Sequence, residues 1–174
     1  MLPTENKAPS YLQDEDGFAR LLDDWGDRLL RLCTLYLKDV HLAEDAVQET
    51  LLKAWRKADT FRSGGSETTW ITRIAINVCK SYLRSPWKRR RAPVEELDTL
   101  FSDTGDPQVD DTLPGAIMAL SRPYREVIIL YYYQELKARE IADILHVDVS
   151  TVTARLSRAR KQLREALKGW YYDE

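Results

Sequence analysis

Near one end of this 174-residue chain, Ser150, Thr153, Ala154, Ser157, Arg158 and Lys161 recur at the spacing of a single helical face. Small hydroxyl side chains beside a guanidinium and an ammonium are what a helix seated in the major groove of duplex DNA presents. From Ser150 to Lys168 there are six Lys/Arg and one acid, Glu165, so the charge is one-sided. An ordinary solvated surface helix would instead pair Glu with Lys along its exposed side.

The elements that position this face are legible around it. Leu136 to Leu167 reads as a short helix, a tight connection and a longer basic helix. In the first helix Ile141, Ile144 and Leu145 form one apolar stripe, and Ala142 is small enough to let a second helix cross closely. His146 to Val149 interrupts the pattern. Ser150 is the expected N-cap of the next helix, with Val149 as a hydrophobic staple. Val152, Leu156, Ala159, Leu163 and Leu167 then carry the buried side of that helix. The expectation is a helix-turn-helix.

Two further constellations lie upstream. Arg73, Asn77, Lys80 and Arg84 line one side of a helical pattern that starts at Glu67–Thr69 and is stopped by Ser85-Pro86. Thr68, Thr69 and Trp70 stand at its start, with Tyr82, Trp87 and the run Lys88-Arg89-Arg90-Arg91 at or beyond its end. Cations for phosphates, an Asn able to pair with a base edge and aromatic faces for stacking belong to single-stranded recognition. The preceding helix, from about Leu42 to Ala58, carries Glu44, Asp45, Gln48 and Glu49 on its polar side, with Leu52 in phase among them. An acidic rim around an apolar anchor suits a protein partner with a basic surface.

The net charge of −2 hides strong segregation. Arg73 to Arg91 holds seven Lys/Arg and no acid, whereas Val94 to Pro114 holds seven Asp/Glu and no Lys/Arg. Two cationic surfaces separated by an anionic strap point to nucleic acid more strongly than the sum does. Cys33 and Cys79 both fall within helical patterns and read as buried free thiols. His41 and His146 are isolated, so neither a metal site nor any cofactor is expected. No apolar run approaches a membrane span, and MLPTENKAPS lacks a signal-peptide core, which leads to a cytoplasmic expectation without membrane insertion.

Nothing along the chain reads as a strand. The expected architecture is all-α, with two small helical bundles at 12–91 and 112–174 joined by a flexible acidic linker at 92–111. Phe18, Leu21, Leu22, Trp25, Leu29, Leu32, Cys33, Tyr36 and Leu37 trace the first long helix. The loop Phe61 to Ser66 follows the second. In the second bundle Ile117, Leu120, Pro123, Val127, Ile128, Leu130 and Tyr131 are expected to support the helix-turn-helix. Roughly nineteen linker residues can extend to about 60 Å, comparable to about 18 base pairs of duplex.

AEDAVQETLLKAW, then TTWITRIAINVCKSYLR, an acidic linker and the segment LPGAIMALSRPYREVIILYYYQELKAREIADILHVDVSTVTARLSRARKQLREAL together resemble a bacterial RNA polymerase sigma factor. The compact two-part form resembles the extracytoplasmic-function group of the sigma-70 family, whose region 2 and region 4 would be the two bundles. The resemblance implies a non-catalytic specificity subunit that directs core RNA polymerase to promoter DNA and helps melt it. It implies that Asp45, Gln48, Glu49 and Leu52 dock on the clamp helices of the polymerase largest subunit. Asn77 would read an unpaired base of the −10 element delivered by the loop Phe61 to Thr69, while Arg73, Lys80 and Arg84 hold phosphates. Thr153, Ala154, Ser157 and Arg158 would read the −35 element, with Ser150, Thr151, Arg155 and Lys161 near the backbone. Such factors are usually held inactive by an anti-sigma protein.

Two departures matter. The family often carries an aromatic where this chain has Thr72, and larger residues where it has Thr153, Ala154 and Ser157. Base reading therefore leans on Arg158. Two other readings compete with this one. A free-standing helix-turn-helix regulator would leave Asn77 and the Leu52 patch without a role. An enzyme using the carboxylates from Glu44 to Glu49 would need a His partner, a phosphate loop or metal-ligand spacing beside them.

Overall fold

A computed structural model describes residues 16–61, 65–85 and 112–168. The linker 92–111, the run Lys88 to Arg91, Trp87 and part of the loop after Phe61 lie outside the described residues. Seven α-helices occur among the described residues: α1 (Gly17–Leu37), α2 (Val40–Arg56), α3 (Glu67–Arg84), α4 (Thr112–Ala119), α5 (Arg122–Ile128), α6 (Ala138–Leu145) and α7 (Val149–Ala166). A short 3-10 turn, Ala58–Thr60, follows α2, and a π-helical turn, Ile129–Tyr133, continues α5. No strand occurs among the described residues.

Helices α1, α2 and α3 form the first bundle. Leu21, Trp25, Leu29, Leu32 and Tyr36 recur every three or four residues on α1 and are all buried. Lys38 ends this helix in the left-handed conformation (φ 57°), its N–H donating to the Thr34 carbonyl at 2.8 Å. Asp39 at once caps α2 by accepting from the Leu42 amide at 3.0 Å. Ala43, Ala46 and Ala54 are fully buried on α2, and their small side chains let its backbone lie close to its neighbours. Ser66 caps α3, accepting from the Thr69 amide at 3.1 Å. Ser66→Ala should lower stability by about 1 kcal/mol, read as a reduced thermal midpoint.

The thiols of Cys33 on α1 and Cys79 on α3 meet inside this bundle with their Sγ atoms 3.5 Å apart, both free and fully buried. The hydrogen bond to Cys33, with burial, holds the Cys79 thiol well above its usual pKa. It is therefore a poor nucleophile.

Helices α4 to α7 form the second bundle, and the π-turn changes its phase. The Gln134 amide donates to the Ile129 carbonyl five residues back at 3.2 Å. This is why Tyr131, expected in the core on a regular helical count, is 37 % exposed. Pro123, also expected in the core, is exposed at the start of α5, upstream of that turn. The exposed Tyr131 and Tyr132 pack edge to face, and the Arg160 guanidinium covers both rings. The α6–α7 corner turns at His146 (φ 55°). The longer helix begins two residues earlier than expected: Asp148 is its N-cap, and Val149 and Ser150 already lie inside it. Val149 is exposed, so it staples nothing.

The buried side chains of both bundles form one continuous apolar cluster. The two halves also meet through polar groups, with α1 and α3 facing α5, the π-turn and α6.

Candidate nucleic-acid interface

Helix α7 presents the face anticipated for duplex DNA. Val152, Leu156 and Ala159 are buried, while Ser150, Thr153, Ala154, Ser157, Arg158 and Lys161 are exposed on the opposite side. Thr151 and Arg155 are half-buried at its edge. The Thr153 hydroxyl donates to the Val149 carbonyl at 3.0 Å, which leaves its oxygen lone pairs and methyl group to face outward.

Sequence reasoning missed the other wall of this site. Ser121, Pro123 and Tyr124 from the start of α5 join Thr151, Ala154, Arg155 and Arg158 around an open cleft of about 440 Å³. Tyr124 brings a phenolic hydroxyl and Ser121 an alcohol to the same surface as two guanidinium groups. The only signal in the chain was the turn-forming Ser121-Arg122-Pro123 at a helix start, which marks an N-terminus but not what it faces.

On α3 the structure aligns the four polar residues as expected. Arg73, Asn77 and Arg84 are exposed and Lys80 is half-buried, at positions i, i+4, i+11 and i+7 of one stripe. The aromatic contribution is different. Tyr82 is buried, and burial together with the neighbouring Glu49 carboxylate pushes its hydroxyl pKa up to about 12. It braces α3 against α2 and offers no face for stacking. Trp70 is half-buried, packed edge-on against Phe61 with centroids 5.4 Å apart. Among the described residues Trp70 and Phe61 are the aromatic groups at the mouth of this loop, and Trp25 is tied there by a bond from its indole N–H to Glu67 at 3.0 Å.

On α2, Asp45, Gln48 and Leu52 form an exposed line, Leu52 being 45 % exposed. Glu49 is set apart from them: it is half-buried, pairs with Lys53 at 2.9 Å and acts on Tyr82. Beside this line Leu22, Gly26, Leu30 and Val47 floor a groove between α1 and α2, rimmed by Asp23, Asp27 and Glu44. The acidic rim around apolar groups is therefore broader than α2 alone. No group of three or more His, Cys, Asp or Glu side chains able to hold a metal ion occurs among the described residues. None of the helices there is long and apolar enough to cross a membrane.

Comparison with known proteins gives this geometry a family. Residues 21–89 match the model of sigma-70 region 2, and residues 111–163 match that of sigma-70 region 4. The chain is 31 % identical to the ECF RNA polymerase sigma factor SigW of Bacillus subtilis, across 89 % of this chain and 91 % of that protein. It is 33 % identical to RNA polymerase sigma factor SigV of the same organism, across 77 % and 81 %. Among solved structures it resembles the sigma factor RpoE in complex with the anti-sigma factor NepR from Bartonella quintana. That likeness has a TM-score of 0.72 and 28 % identity, covering 91 % of this chain and 99 % of that one. CnrH in complex with the cytosolic domain of CnrY shares the fold, with a TM-score of 0.66 and 24 % identity across 91 % and 92 %. Two sigma regions in the expected order, with close relatives spanning nearly the whole length, leave one conclusion: the chain belongs to the extracytoplasmic-function group of the sigma-70 family and is a dissociable factor that directs core RNA polymerase to promoters.

Proposed function

We propose the following division of labour within this sigma factor. Region 2, at 12–91, binds core polymerase through α2 and the −10 strand through α3, and region 4, at 112–174, binds duplex −35 DNA through α7, with the acidic stretch 92–111 between them. The observation that carries this reading is the separation of surface types. Acidic and apolar groups line α2, cations and Asn77 line α3, and hydroxyls with Arg158 line α7. Each surface is complementary to a different partner, and none carries the acid, base and nucleophile set of an enzyme.

Asp45, Gln48 and Leu52 make the polymerase contact, extended by Leu22 and the acids of the α1–α2 groove. Glu49 contributes charge to that rim while holding Tyr82 and Lys53. Arg73, Lys80 and Arg84 neutralise phosphates, so that Asn77 meets an unstacked base beside Trp70. Melting then comes from trapping that base, and the polymerase performs the chemistry. Ser150, Thr151, Arg155 and Lys161 fix the register of α7 on the duplex, and Thr153, Ala154, Ser157 and Arg158 face base edges. Tyr124 joins the backbone contacts from the opposite wall of the cleft. The factor works in the cytoplasm.

The solved relative in complex with the anti-sigma factor NepR supports a regulator of that class here. A second surface suits one. An apolar groove of about 900 Å³ in region 4, floored by Ile117, Ile128 and Leu163, is rimmed by Arg160, Arg164 and Lys168. An amphipathic helix with acidic flanks fits it.

Run-off transcription with bacterial core polymerase on a promoter library tests the whole assignment, and transcripts no more abundant than with core alone would overturn it. Asn77→Ala should reduce transcription from a closed duplex several-fold, with a smaller loss on a template already unpaired at −10. Equal losses on both templates would reduce Asn77 to a binding contact without a part in melting.

A further inference from the structure

The apolar stripe of α7 does not finish under cover. Val152, Leu156 and Ala159 are buried, but Leu163 and Leu167, the next members of the stripe, are only half-buried. They belong to the groove of about 900 Å³ in region 4, where Ile117 and Ile128 form the floor and Leu113 of α4 joins the walls. Among the described residues this groove stands open. Folded chains seldom leave a continuous apolar surface of this kind uncovered.

The rim of the groove is cationic. Arg160, Arg164 and Lys168 recur at i, i+4 and i+8 along one side of α7. Arg160 is engaged: its Nε donates to the Tyr132 hydroxyl at 2.7 Å, and its guanidinium covers the Tyr131 and Tyr132 rings. Arg164 and Lys168 are exposed, and no carboxylate among the described residues pairs with either. The complement of this surface is apolar bulk with negative charge beside it.

That chemistry follows at once in the chain. Residues 169–174 read Gly-Trp-Tyr-Tyr-Asp-Glu and lie outside the described residues. Three aromatic side chains, each able to bury about 150–250 Å², precede two carboxylates. The period of α7 carries on to them, since Leu163, Leu167 and Trp170 stand at i, i+4 and i+7. Length agrees as well. Lys168 already lines the groove, so Trp170 is within about 7 Å of it along an extended chain. From Arg160 to Lys168 the helix rises about 12 Å, and five extended residues reach about 17 Å. The carboxylates therefore have chain enough to return to Arg164. A tether this short gives the segment an effective concentration of roughly millimolar order, which favours its own groove over that of a second copy in dilute solution.

We infer that Trp170, Tyr171 and Tyr172 fill the region 4 groove of their own chain, with Asp173 and Glu174 paired to Arg164 and Lys168. The groove is then occupied before any partner arrives, and a helix that enters it must first displace this segment. That consequence, though not the occupancy, rests on reading the groove as the site of a regulator's amphipathic helix.

Fluorine NMR on the full chain, grown with fluorotryptophan, reads the occupancy. The chain holds five tryptophans, and the Trp170 signal is the one that Trp170→Phe removes. Its shift between light and heavy water should be well below that of the same residue in the urea-unfolded chain. Arg164→Glu/Lys168→Glu should lower the covered fraction about fivefold, as two surface ion pairs become repulsions. Asp173→Lys/Glu174→Lys in that background should restore it, which a merely destabilised helix would not show. Three results would overturn the inference: a Trp170 signal as exposed as in urea, cover that ignores the charge reversal, or cover that grows with protein concentration and so belongs to a second copy. The second arm uses a synthetic peptide helix, with leucines at i, i+3 and i+7 between glutamates, as the probe. Trp170→Ser/Tyr171→Ser/Tyr172→Ser should bind it about fivefold or more tightly than the parent, because apparent affinity scales with the open fraction of the groove. Equal binding by parent and variant would also overturn the inference. If the peptide bound neither protein, the groove would be lost to the regulator reading, and the fluorine signal alone would decide the occupancy.

Discussion

Asp45→Arg and Leu52→Arg are each expected to abolish co-purification with core RNA polymerase while leaving helical content and thermal midpoint close to those of the parent. Both residues are exposed on α2, and neither contributes to the buried cluster. Their replacement therefore changes the surface and leaves the packing intact. An arginine at Leu52 places a charge where a buried apolar anchor should sit, and at Asp45 it opposes a basic partner. Losses at such central contacts run to about 2–4 kcal/mol, roughly 30- to 1,000-fold in affinity. Glu49→Arg is a less clean probe, because Glu49 also holds Lys53 and Tyr82. If both variants kept full binding at matched concentration, the docking surface would have to be sought away from α2.

Arg158→Ala should cost about 1–3 kcal/mol at a single base position of the −35 element, the discrimination that one bidentate arginine supplies. The expectation is sharp here because Thr153, Ala154 and Ser157 are too short to reach far into the groove, leaving Arg158 as the long donor among the four residues assigned to base edges. Binding of the variant to a panel of single-base −35 duplexes measures it. Preference should flatten at one position and persist at the others. A uniform loss across the panel, accompanied by a shallower salt dependence, would make Arg158 a phosphate contact. Tyr124→Phe, on the other wall of the same cleft, gives the complementary result: a modest loss shared by every sequence.

Most of the local architecture was legible because each helix carries its own signals. The end of α3 at Arg84 follows from Ser85-Pro86 as a stop, and its start was read only to within Glu67–Thr69, with Ser66 as the cap that the structure adds. The α1 stripe from Leu21 to Tyr36 and the exposed line Arg73, Asn77, Lys80 and Arg84 follow from a period of 3.6. Where the period failed, the cause can be named. The π-turn at Ile129–Tyr133 adds a residue to one turn, which turns Tyr131 outward and brings Gln134 against Thr72. The start of α7 was misplaced by two residues because Asp148 and Ser150 are both good caps, and only the backbone at Asp148 is extended. Tyr82, expected beside a nucleic-acid strand, is instead buried near Glu49, since Tyr suits a stacking face and a half-polar core equally well.

By itself the sequence determined the helical class, the two-region order and the chemistry of three surfaces, because these depend on side-chain type at helical spacing. The family resemblance carried by those same motifs is upheld by matches along nearly the whole chain. Only the tertiary structure decided that the two regions meet, and through which groups. Tyr36 and Glu126 are 90 positions apart, and Thr69 and Glu140 are 71 apart. Pairing across such distances leaves no local period to read. Thr72 read as a departure from a family pattern until Gln134 was placed against it. A buried polar contact between distant helices is set by how their axes cross, and the chain sequence encodes that only through the fold as a whole.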